Sequence, residues 1–151
     1  MTGRPAGARS IDDILDAARA RLHRVTPQQA FAEFRIGARL VDIRPASQRA
    51  VDGEIPGSIV VERNHLEWRF DPGSDARLHF VTDYAVRPIV FCTEGYTSSL
   101  AAAALLDLGL GRATDIIGGY KAWQAAGLPT AAAAERTALI APGASPATSS
   151  G

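Results

Sequence analysis

Pro88-Ile89-Val90-Phe91-Cys92-Thr93-Glu94-Gly95-Tyr96-Thr97-Ser98 carries an apolar segment straight into a cysteine and a polar loop. Pro88 to Phe91 is a compact apolar run of the kind buried on both faces in the middle of a parallel sheet. A Gly-containing loop follows at once. From Thr97 or Ser98 an Ala- and Leu-rich segment runs to Leu108-Gly109 and reads as a helix. The carboxyl ends of strands in an open parallel sheet face the crevice where ligands bind. A loop there that turns into a helix aims its backbone N–H groups inward, and with the helix dipole they form a site for an anion. A cysteine at the mouth of such a cradle has its thiolate stabilised and can act as a nucleophile. Gly95 permits the tight curvature, and the hydroxyls of Thr97 and Ser98 can donate to a bound anion or cap the helix. The residues alone leave a second reading open, a buried inert thiol at a strand end, because free cysteine is among the most buried residue types.

The same alternation continues outward. Ala38 to Ile43 and Ser58 to Val61 read as strands, separated by a short polar helix around Ser47 to Val51 and a turn at Ile55-Pro56-Gly57. Leu66 to Phe70 reads as a helical turn. Ala113 to Ile117 is a last short strand, and Gly119 to Ala126 a last helix stopped by Gly127 and Pro129. Two helices open the chain. Ser10 with Asp13 is a capping pair, and Thr26, Pro27 and Gln29 stand as N-cap, N1 and N3 of the second helix, which should end near Gly37. Strands alternating with helices imply an α/β fold with a mostly parallel sheet covered on both faces. The divisions expected are a helical extension over residues 1–25, the main domain over 26–130, and an Ala-, Pro- and Ser-rich flexible tail over 131–151.

Composition narrows the function. Lys plus Arg and Asp plus Glu number 16 each, so the formal net charge is zero. That balance offers no electrostatic footprint for nucleic acid or an anionic membrane. No apolar run approaches the ~20 residues that span a bilayer. The first ten residues lack an apolar core, so no secretory leader is expected. A single cysteine permits neither an internal disulfide nor a Cys-rich zinc site, and it suits a reducing, cytoplasmic setting. His23, His65 and His79 lack metal-ligand spacing.

Three motifs in order, covering roughly Ala38 to Thr130, resemble the rhodanese family. The loop from Cys92 to Ser98 is similar to its Cys-x-x-Gly-x-[Thr/Ser]-[Ser/Ala] active-site loop. Leu40-Val41-Asp42-Ile43-Arg44 followed by Ile55-Pro56-Gly57-Ser58 resembles its upstream region, and Ile117-Gly118-Gly119-Tyr120-Lys121-Ala122-Trp123 with Gly127-Leu128-Pro129 its closing region. The resemblance implies a three-layer α/β/α fold with a central five-stranded parallel sheet, and a sulfurtransferase. Cys92 would take sulfane sulfur from a small donor as a persulfide, held by the loop from Thr93 to Ser98, and yield it to a thiol, cyanide or protein acceptor. No metal or organic cofactor is implied.

The pattern departs from the family in ways that bear on the donor. Members that favour thiosulfate often carry cations in the loop, where this chain has Thr93 and Glu94. A carboxylate there repels a dianion. Glu54 replaces the usual histidine before Ile-Pro-Gly. Arg44 reads first as a structural partner of Asp42 and second as a source of positive potential near the pocket. Arg63, Trp68 and Arg69 occupy a stretch that often contributes to the pocket rim, although solvated arginines are the simpler reading. Tyr96 either walls the pocket or sits on the surface, and Trp123 reads as core. Dual-specificity phosphatases of the Cdc25 type and related arsenate reductases share this kind of fold but need arginine at the sixth position after the cysteine, where Ser98 stands. A catalytically silent binding or regulatory module is the other alternative.

Overall fold

A computed structural model of the chain describes residues 3–133. Both expected capping boxes form. Ser10 caps helix α1 (Ile11–Ala20) and Thr26 caps α2 (Pro27–Arg35), each accepting from the N3 backbone while the N3 side chain accepts from the cap backbone. Each box satisfies helix-start amides that would otherwise lack partners.

The sheet contains β1 (Arg39–Asp42), β2 (Ile59–Val60), β3 (Pro88–Phe91) and β4 (Thr114–Asp115), all parallel, in the order β2-β1-β3-β4. Between them run α3 (Ala46–Asp52), a 3-10 turn (Arg63–His65) leading into α4 (Leu66–Phe70), and α5 (Thr97–Asp107). The last helix is α6 (Gly119–Ala125). The sheet therefore has four strands among the described residues, where five were expected. The place beyond β4 is taken by Val25 alone, which bridges to Ile116 in parallel. Val25 N–H donates to Asp115 O at 3.1 Å, and Ile117 N–H donates to Val25 O at 2.8 Å. Thr26 already caps α2, so the chain turns helical before a strand can extend.

Side chains alternate across the sheet as the pleat requires. Leu40, Ile89, Phe91 and Ile116 face one way, against Ala30 of α2 and Tyr120 and Trp123 of α6. Val41, Ile43, Val90 and Cys92 face the other way, against Leu66 and Phe70 of α4 and Ala101, Ala102 and Leu105 of α5. The Ala-rich face lets α5 lie close to β3. Helix α1 lies along α5 and buries Leu15 and Ala18. Trp123 is fully buried, edge-on to Phe31, with its indole N–H donating to Pro129 O at 2.8 Å. Ala131 and Glu54 exchange two backbone hydrogen bonds. The rest of the segment read as a tail, from residue 134, lies outside the described residues.

Candidate active site

Cys92 is the residue immediately after β3, at the carboxyl end of a central strand, and is 6% exposed. Gly95 N–H donates to its Sγ at 3.3 Å. The turn that brings this amide back needs a positive φ at Gly95, 87°, in the region that favours glycine. Around the sulfur opens a cleft of about 400 Å³ lined by Cys92, Thr93, Glu94, Tyr96 and Thr97 from the loop and by Gln48 and Asp52 from α3. Thr93 Oγ1 donates to Gln48 Oε1 at 2.8 Å and ties the loop to α3. Helix α5 starts at this loop with no side-chain cap. Its first amides are the donors a bound anion would meet.

The loop is fastened from behind by α6. Tyr120 N–H donates to Cys92 O at 2.8 Å, and Lys121 N–H donates to Thr93 O at 3.0 Å. The backbones meet closely enough that only glycine fits on either side. A Cβ on Gly95 would lie 2.8 Å from Gly118 N, and one on Gly119 would lie 2.5 Å from Cys92 O. This gives the Gly118-Gly119 pair of the closing motif its physical purpose, which is to shape the cysteine loop.

The loop residues divide by role. Glu94, Tyr96 and Thr97 are exposed at the cleft, with Thr93 half-buried beside them. Ser98 turns away, and its hydroxyl donates to Asp115 Oδ2 at 2.8 Å, as does that of Ser99. Asp115, fully buried, is also paired with Arg24, Nε to Oδ1 at 2.9 Å. Ser98 thus anchors α5 to β4.

The upstream candidates stand away from the sulfur. Arg44 is buried in a bidentate pair with Asp42, Nη2 to Oδ2 at 2.6 Å and Nε to Oδ1 at 2.9 Å. It also donates to Gly53 O and lies 4.4 Å over the Tyr120 ring, so the structural reading of Arg44 fits. Arg63 pairs with Glu67, Arg69 donates to Ala76 O, and Trp68 is exposed; none of the three lines the Cys92 cleft. Sequence reasoning missed Gln48, Asp52, Arg19 and Arg24. Gln48 and Asp52 sit in a helix that reads only as polar, and the two arginines lie more than 60 residues before the loop. No local pattern could have joined them.

Fold and loop define a class, a parallel α/β domain presenting one cysteine in a backbone-amide loop at the end of a central strand. The family model described as Rhodanese-like domain matches residues 16–126, and the chain belongs to that family. A curated relative, the thiosulfate sulfurtransferase GlpE of Stutzerimonas stutzeri, is 34% identical over 101 residues, covering 67% of this chain and 84% of that protein. A solved structure from Rhodopseudomonas palustris, described as a protein of unknown function and possible tyrosine phosphatase, superposes with a TM-score of 0.73 at 33% identity. It covers 85% of this chain and 99% of that one. The polysulfide-sulfur transferase of Wolinella succinogenes shares the fold, with a TM-score of 0.63 at 22% identity over 79% of this chain and 85% of that one. Among the described residues no helix is long and apolar enough to cross a membrane.

Proposed function

We propose that the chain is a sulfurtransferase whose Cys92 carries sulfane sulfur as a persulfide. The observation that carries this reading is the Gly95 N–H aimed at Sγ from a loop held rigid by α6, at the base of an open cleft. The Cys92 thiolate bonds to the outer sulfur of a donor, while the donor's own bond to that sulfur breaks and its electron pair departs with the remainder. An acceptor thiolate, cyanide or a protein thiol then attacks the outer sulfur, and Cys92 leaves as thiolate. Amides serve both steps, because the charge to be stabilised is an anionic sulfur and no proton need be taken from the substrate. The lone thiol must stay reduced between turnovers, which suits the cytoplasm.

The cleft bears two carboxylates, Glu94 and Asp52, and among the described residues no cationic side chain lines it. Lys121 pairs with Asp52 at 3.4 Å. This favours a donor of low negative charge over the thiosulfate dianion. Phosphatase chemistry would need a guanidinium gripping the oxyanion, and the sixth position after Cys92 holds Ser98, buried against Asp115.

Intact-mass measurement after exposure to thiosulfate or mercaptopyruvate tests the reading. Wild type gains the mass of one sulfur and Cys92→Ser gains none. No added mass with either donor would favour the silent binding module.

A further inference from the structure

The loop around Cys92 has no cationic side chain of its own, yet a guanidinium stands directly behind it. Arg19 of α1 donates from Nη2 to Gly95 O at 2.7 Å and from Nε to Ser99 Oγ at 3.0 Å, and its guanidinium lies 5.6 Å from the Tyr96 ring centroid. Arg24 donates to the same carbonyl at 3.1 Å. The two differ in one respect. Arg24 is neutralised by Asp115, while Arg19 has no carboxylate within ion-pair distance among the described residues. A half-buried, unpaired cation therefore sits on the carbonyl of the Gly95–Tyr96 peptide, one peptide unit beyond the amide that touches Sγ.

We propose that Arg19 is a positioning residue of the Cys92 site, supplying through the Gly95 carbonyl the positive charge that the loop side chains lack. Two effects act together. A charge-assisted bond to the carbonyl polarises the peptide and strengthens its N–H, that of Tyr96, as a donor within the loop. The net charge also lowers the energy of an anionic sulfur on the loop that Arg19 holds, and the partial burial of Arg19 limits screening by solvent. Other charges near the thiol oppose this or cancel. Glu94 opposes it from the loop. Asp52 is paired with Lys121, Asp42 with Arg44, Arg24 with Asp115, and on α4 Glu67 is paired with Arg63. Tyr120 is neutral in the pH range concerned, because burial raises its hydroxyl above the usual value.

The inference rests on Cys92 as the nucleophile, and its test does not depend on sulfur transfer. The rate of Cys92 alkylation by iodoacetamide is followed against pH in wild type, Arg19→Gln and Arg19→Lys, with circular dichroism confirming the fold. Arg19→Gln is expected to move the midpoint of the profile upward by about half a pH unit, about threefold in rate near neutrality, with the plateau at high pH unchanged. Arg19→Lys should recover most of the shift. A midpoint in Arg19→Gln that coincides with wild type overturns the proposal. So does a loss confined to the high-pH plateau, which would mean that Arg19 sets only the loop's shape. If the alkylation profile shifts as expected while no donor adds sulfur, the sulfurtransferase reading fails and the role of Arg19 stands.

Discussion

Glu94 is the residue at which electrostatics and donor choice meet. It is exposed at the cleft, and none of the ion pairs among the described residues engages it. Replacing it by arginine exchanges repulsion for attraction toward a dianion. Glu94→Arg is expected to raise kcat/KM for thiosulfate about tenfold, equivalent to about 1.4 kcal/mol, with little effect on an uncharged donor. Thiocyanate release measured across a donor panel checks this, and an unchanged or lower thiosulfate activity in the folded variant counts against Glu94 as the discriminating charge. Cys92 and the loop glycine were legible in the sequence because strand, loop and helix follow one another without a break. The inward turn of Ser98 was not, because its partner Asp115 arrives from another strand.

At the scale of elements, the cysteine loop depends on the start of α6. Gly119 adopts a φ of 61°, and a Cβ there would meet Cys92 O at 2.5 Å and Gly95 N at 2.8 Å. Gly119→Ala is expected to destabilise the fold by about 1–3 kcal/mol and to slow Cys92 alkylation, because α6 must withdraw from the loop. Urea unfolding and thiol kinetics on one sample read both effects. Asp115 joins β4, α5 and the turn before α2 by accepting from Ser98, Ser99 and Arg24. Asp115→Ala takes the acceptor from the Ser98 and Ser99 hydroxyls and from Arg24 Nε, leaves Arg24 without its counter-ion, and should cost about 3–5 kcal/mol in the same urea assay. The order of elements, both capping boxes and the two-faced sheet were legible because each rests on local periodicity or on a three-residue spacing. The reduction of a fifth strand to Val25 was not, since it turns on how soon the Thr26 cap begins α2.

The whole molecule is clamped across its α6 face by Arg44, Asp42 and Tyr120, all buried. Burial raises the Tyr120 hydroxyl above its usual 10.0, more than the charge of Arg44 lowers it. The native state therefore holds that proton more tightly than the unfolded chain. The resulting stability is fully present below pH 10 and is lost as pH rises through the native value. Urea midpoints should fall above about pH 10 in wild type and fall less steeply in Tyr120→Phe. Equal slopes would remove Tyr120 from the account. The proposed sulfur transfer at Cys92 on this scaffold is read in a single turnover. Protein is loaded with thiosulfate or mercaptopyruvate, freed of donor, and then given cyanide. One thiocyanate is expected per loaded chain, with the mass returning to that of the free thiol. A chain that takes up no sulfur, or keeps it when cyanide is added, would contradict it.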